Sequence, residues 1–163
     1  MKSIAIVLVC LFLSTSICFA QQEYSVSKQT LNDIIQLKQY MDSYPQEALK
    51  LSKQLGAEQN EHIKKILNYL VIISSKLKAV ISILDTEGSQ GEGERSNNLT
   101  LEEAQKFITY VTGRMDTIMA ELYKRSKSTN EALMIHHIEK VKGYIREGKR
   151  LLEQSQRELS KFK

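Results

Sequence analysis

The stretch IKKILNYLVIISSKLKAVISIL, residues 63–84, decides the fold. Ile63, Ile66, Leu70, Ile73, Leu77, Val80 and Leu84 recur at alternating intervals of three and four, which stacks them on one stripe of an α-helix. A half-buried strand would instead show apolar residues at every second position. Leu67, Val71, Ile72, Ile81 and Ile83 fall outside the stripe, so the apolar surface is wider than one contact needs. This helix, expected over residues 57–86, belongs at the centre of a bundle. Its stripe is also a candidate apolar interface or ligand pocket, with plain central burial as the simpler reading. Lys76, Lys78 and Asn68 argue against a membrane span.

Upstream, Ile34, Leu37, Met41, Tyr44, Ala48, Leu51 and Leu55 follow the same alternation, one residue out of phase with the later stripe. A break at Gly56 absorbs that slip. Pro45 lacks an N–H and restricts its predecessor, and Ser43 with Gln46 three residues on reads as a capping box. The expectation is one helix over 27–42 and a second over 44–55, with a continuous kinked helix as the alternative.

Downstream, residues 86–98 are rich in glycine and charge and lack apolar side chains, the composition of a mobile linker. Thr100 and Glu103 form a capping box for a helix over 100–125, whose stripe is Ala104, Ile108, Val111, Met115, Ile118 and Leu122. Ser128 and Glu131 repeat the pattern before a last helix over 129–162. Met134, Ile138, Val141, Ile145, Leu152, Leu159 and Phe162 keep heptad register there. Gly148 and Ser155 occupy two stripe positions and would let a neighbour approach closely. The fold class is all-α: an antiparallel bundle of four to five amphipathic helices with heptad-like packing.

Residues 1–20 stand apart. Lys2 precedes an uncharged apolar run over 4–13, followed by a more polar stretch ending in Ala20, the layout of a secretory signal peptide. The run is about half the ~20 residues a spanning helix needs. Cleavage after Ala20 leaves a single domain over 21–163, secreted, or periplasmic in a Gram-negative cell, with no remaining transmembrane span. Both cysteines, Cys10 and Cys18, leave with the signal segment. The mature domain then has no thiol for disulfides, zinc or redox chemistry, and it is long enough to build a core without staples.

Charge is uneven. Residues 124–163 carry 11 basic and 5 acidic side chains within a chain of net charge +4. Lys142, Arg146, Lys149, Arg150, Arg157 and Lys161 line one side of the last helix, a candidate surface for an anionic lipid, glycan or acidic protein. A solvated face is the plainer reading. Nucleic acid is a poor partner for an exported chain without interleaved aromatics. Asn98-Leu99-Thr100 is an N-glycosylation sequon, so Asn98 is a candidate modification site in a eukaryotic secretory route.

No catalytic pattern is present. The paired His136 and His137 point about 100° apart on a helix, whereas zinc ligands on one face need i, i+4 spacing. Both are expected as partly exposed helix residues. No nucleophile elbow, P-loop or dinucleotide fingerprint occurs. No cofactor is expected.

The overall type resembles secreted helical lipid carriers, the apolipophorin-like and nematode fatty-acid-binding helical proteins. That resemblance is one of architecture and implies a bundle whose helices part around an apolar ligand. The expected function is that of a secreted, non-enzymatic binding protein acting through helix faces on a macromolecular partner or on itself. An extracellular carrier of fatty acids or other lipids is the alternative.

Overall fold

The computed structural model describes residues 24–51, 56–85 and 99–162. The expected signal segment, the linker over 86–98 with Asn98, and both cysteines lie outside these residues. The side chains of Leu51 and Leu55 do too.

Four long helices make up the described chain: α1 (Lys28–Leu51), α2 (Ala57–Leu84), α3 (Leu101–Lys127) and α4 (Ala132–Leu159), followed by a 3-10 turn at Ser160–Phe162. The all-α bundle expected from periodicity is the observed architecture. α1 packs on α2 and α4, α3 packs on the same two helices from the opposite flank, and α2 meets α4 across the diagonal. Sequential neighbours run antiparallel. The first and last helices are antiparallel too: the start of α1 meets the end of α4 through Ser27 and Glu158, while Tyr44 near its end meets His137 near the start of α4.

The stripes explain the packing. All seven stripe residues of α2 are buried, as are Ile34, Leu37, Met41, Tyr44 and Ala48 on α1. The full stripe of α3 is buried, with Met134, Ile138, Val141, Ile145, Leu152 and Leu159 on α4. Each large apolar side chain removed from water contributes about 1.5–3 kcal/mol against chain ordering. Phe162 departs from its helical register, because α4 gives way to the 3-10 turn before it.

Gly148 shows how closely the helices approach. A Cβ placed there would lie 2.9 Å from Met115 Cε of α3 and 3.4 Å from Leu37 Cδ2 of α1. Glycine is the residue that lets both side chains close over α4 at this level.

The boundaries correct the sequence reading in two places. Pro45 does not end a helix: α1 runs through it to Leu51. Proline forfeits one intrahelical hydrogen bond, but Met41, Tyr44 and Ala48 bury on the same stripe only if the turn continues, and that burial outweighs the loss. Ser43 is accordingly no cap; its hydroxyl donates back to the Tyr40 carbonyl at 3.2 Å. Ser128 likewise does not start the last helix. Its hydroxyl donates to the Arg125 carbonyl at 3.0 Å, closing α3, and α4 begins at Ala132 behind Glu131.

The break at Gly56 and the capping box of α3 stand as expected. Gly56 precedes α2 and donates its N–H to Gln59 Oε1 at 3.1 Å. Thr100 Oγ1 accepts the Glu103 N–H at 3.2 Å, and the Glu103 carboxylate accepts the Thr100 N–H at 2.8 Å.

Candidate functional site

Two polar groups sealed into the bundle, His137 and Thr30, lie where α1 meets α4. His137 sits three residues after Met134 and beside Ile138, on the flank of the α4 stripe that faces α1. It is 0% exposed, and its Nδ1 shares a hydrogen bond with the Tyr44 hydroxyl at 2.8 Å. Its Nε2 is buried with no hydrogen-bond partner. Whichever tautomer holds the bond to Tyr44, one imidazole nitrogen is left over. Tyr144 stacks near Tyr44 at 5.6 Å between ring centres, and His136 lies 5.6 Å from His137. Burial, reinforced by His136, holds the His137 imidazole below its ordinary pKa. Burial, with Tyr144 and Glu47 nearby, pushes the Tyr44 phenol up to about 12. Both groups are therefore neutral at pH 7.

The opposite end of the same seam holds a second polar cluster. Glu158 of α4 accepts the Ser27 N–H at 2.6 Å and the Thr30 hydroxyl at 2.7 Å. Gln154 Nε2 donates to Thr30 Oγ1 at 2.7 Å, and Thr30 is fully buried. The Glu158 carboxylate thus caps the start of α1 from another helix, serving N-terminal donors that have no intrahelical acceptor. Burial alone would raise its pKa, but the donors from Ser27, Thr30 and Gln154 outweigh that and hold it below the ordinary glutamate value.

The six basic candidates do not form one free surface. Lys142 is only 5% exposed, its Nζ 3.9 Å from the centre of the Tyr123 ring and 2.6 Å from Glu139. The expectation of an exposed Lys142 is corrected: its aliphatic stem covers apolar surface and its ammonium is absorbed by ring and carboxylate. Lys149 pairs with Asp116 at 2.6 Å, and Arg150 with Glu147 at 2.6 Å. Arg146 approaches Glu139 at 3.8 Å. Arg157 and Lys161 remain exposed, four residues apart.

The apolar candidates Ile63, Ile66, Leu70, Ile73, Leu77, Val80 and Leu84 are all consumed inside the bundle. His137 was expected to be partly exposed and is instead core. The signal that finds it is its spacing from Met134, Val141 and Tyr144, which share its side of the helix.

A cleft of about 270 Å³ opens at the end where α2 and α4 start and α3 stops. Its floor includes Ile66, Met134 and Ile138, and its rim His62, Arg125, Thr129 and Glu131. The volume falls below the roughly 300–1,000 Å³ usual for drug-sized ligands. Among the described residues, no group of three or more histidine, cysteine or acidic side chains is placed to hold a metal ion.

Comparison of the chain with protein-family models, characterised proteins and solved structures yields no match.

Proposed function

We propose that the chain is a secreted, non-enzymatic binding protein that meets its partner through the outer faces of a closed helical bundle. One observation carries this reading. Among the described residues the apolar stripes are spent within the bundle, and the large apolar side chains left outside are Tyr40, Val71, Tyr110, Tyr123 and Ile135. Three of these five are tyrosines, the side chain that supplies broad contact area with a polar edge and few rotamers to freeze. Lys76 Nζ stands 4.8 Å from the Tyr110 ring centre and Lys142 covers that of Tyr123, which holds both rings in place.

A carrier of fatty acids would need α1 or α3 to swing away at the level of Gly148, where Met115 and Leu37 close over α4. The bound partner is therefore sought on the surface. The decisive experiment is affinity capture from the native fluid with the secreted protein, alongside the Tyr40→Ala, Tyr110→Ala and Tyr123→Ala variants. The reading expects one of the three to lose a partner while keeping the helical circular dichroism signal. Identical capture profiles for all four proteins would sink it, and a co-purifying long-chain lipid would favour the carrier.

A further inference from the structure

α2 differs from the other helices in its apolar character, and part of that surface is not covered by the bundle. Over its most apolar eighteen residues the mean hydropathy is 1.6, which with 28 residues makes it long and apolar enough to cross a membrane. Val71 is 54% exposed, and Ile72, Ile81 and Ile83 are partly exposed. From Lys64 to Leu84 every charged residue is a lysine: Lys64, Lys65, Lys76 and Lys78. Its two acids, Glu58 and Glu61, lie in the first turns, Glu61 paired with Lys64 at 2.7 Å; beyond them a strongly apolar stretch whose charges are all cationic matches what lies in the interface of an anionic bilayer. In the closed bundle its apolar face is covered, on one flank by α1.

What keeps α1 in place is sensitive to acid at both ends. Protonating His137 puts a charge on a buried ring whose Nε2 has no acceptor. The groups that face it are neutral Tyr44 from α1 and the neighbouring imidazole of His136 from its own helix. Glu47 of α1 acts on Tyr44 and Tyr144. α2 and α3 place no carboxylate within 4.0 Å of the imidazole among the described residues, and burial, with His136 beside it, is what lowers its pKa. Protonating Glu158 at the other end weakens the cap on Ser27 and Thr30, which face it from α1 together with Gln154 of α4. One stimulus loosens both contacts in the same direction.

From this geometry we infer that the α1–α4 seam is an acid-sensitive clasp, and that its release lets α2 dock on an anionic lipid bilayer. The inference goes beyond the surface-binding reading and does not depend on which partner the tyrosine faces hold at neutral pH.

The test uses the full secreted chain with vesicles of phosphatidylcholine, with or without phosphatidylglycerol, followed by co-sedimentation and by hydrogen exchange of α1. Between neutral pH and about pH 4, binding to the anionic vesicles rises about tenfold or more and α1 amides lose protection, first through His137 and then through Glu158; the neutral vesicles stay bare. Glu158→Gln, which mimics the protonated carboxyl, binds at a higher pH than wild type. His137→Phe moves the acid midpoint down by about one pH unit. Replacing Lys64, Lys65, Lys76 and Lys78 by glutamine abolishes the preference for anionic lipid while α1 still opens. Should His137→Phe fail to fold, the Glu158→Gln shift and wild-type exchange decide alone. Unchanged α1 protection in acid overturns the clasp, and opening without vesicle binding, or equal binding to both vesicles, overturns the docking.

Discussion

The two seams that α4 makes, with α1 on one side and α3 on the other, are crossed by similar polar contacts in opposite surroundings. Against α1, the Tyr44–His137 and Thr30–Glu158 contacts are closed off from water over much of their surface. Against α3, Lys149 reaches Asp116 at 2.6 Å and Gln156 reaches Thr109 at 2.7 Å, both at exposed positions. The exposed contacts exchange with water almost freely, whereas the buried ones leave an unsatisfied group behind when broken. Nearly equal distances therefore carry unequal consequences. Apart from the sealed Lys142 against the Tyr123 ring, the α3 seam is held by its apolar stripe and decorated by exposed charge, while the α1 seam also depends on protonation.

The largest effect expected is on what both seams share. Ile145 is fully buried on α4, and Ile145→Ala should cost about 2–5 kcal/mol in denaturant unfolding, through lost transfer energy and a residual cavity. A loss well under that range would mean that the helices collapse around the gap and that the interior is looser than the contacts at Gly148 indicate.

Next comes the α1 seam. Tyr44→Phe keeps the ring and removes the hydroxyl, so Nδ1 of the buried His137 loses its partner and neither nitrogen then has one; the expected loss is about 1–3 kcal/mol. The pH profile separates the two ends. A base whose folded pKa lies below its unfolded value costs nothing at high pH and destabilises as pH falls below that unfolded value. For His137 the decline therefore begins near 6.5. An acid with a depressed folded pKa contributes above its unfolded value and loses that contribution as pH falls through the folded one, so Glu158 acts below about 4.5. Thermal melts of wild type should decline in two stages, with the upper stage missing in His137→Phe and the lower one flattened in Glu158→Gln. A single decline unaltered by either substitution would contradict this assignment.

The same contrast separates what could be read in the sequence from what could not. The four stripes were legible because burial follows helical periodicity, and the Thr100–Glu103 box because its donors and acceptors lie within one turn. The reading failed where a local rule competed with packing. Pro45 and Ser43 look like a boundary, yet the α1 stripe crosses them without a change of phase, and that continuity was the better guide. Ser128 has the right spacing to Glu131 for a cap, and only the position of the α3 carboxyl end shows which helix it serves. Lys142 and His137 were assigned by residue type, lysine outside and histidine half-out, although the flank of the α4 stripe includes both. Partners such as Glu158 for Ser27 lie 131 residues apart, and no periodicity reports a contact of that range.

The smallest effect sharpens the comparison most. Asp116→Asn removes the ion pair with Lys149 across the α3 seam but leaves both side chains in water, where hydration replaces most of what is lost and salt already screens the attraction. The thermal midpoint should not move measurably at physiological salt, and any shift seen at low salt should vanish as salt is added. Glu158→Gln, a change of the same few atoms at the other seam, should lower the midpoint at neutral pH in a manner that salt does not abolish, because the Ser27 and Thr30 donors lose a charged acceptor in a partly closed site. If the two substitutions behaved alike, burial would not be what distinguishes the seams, and the acid sensitivity of the α1 contact would lose its physical basis.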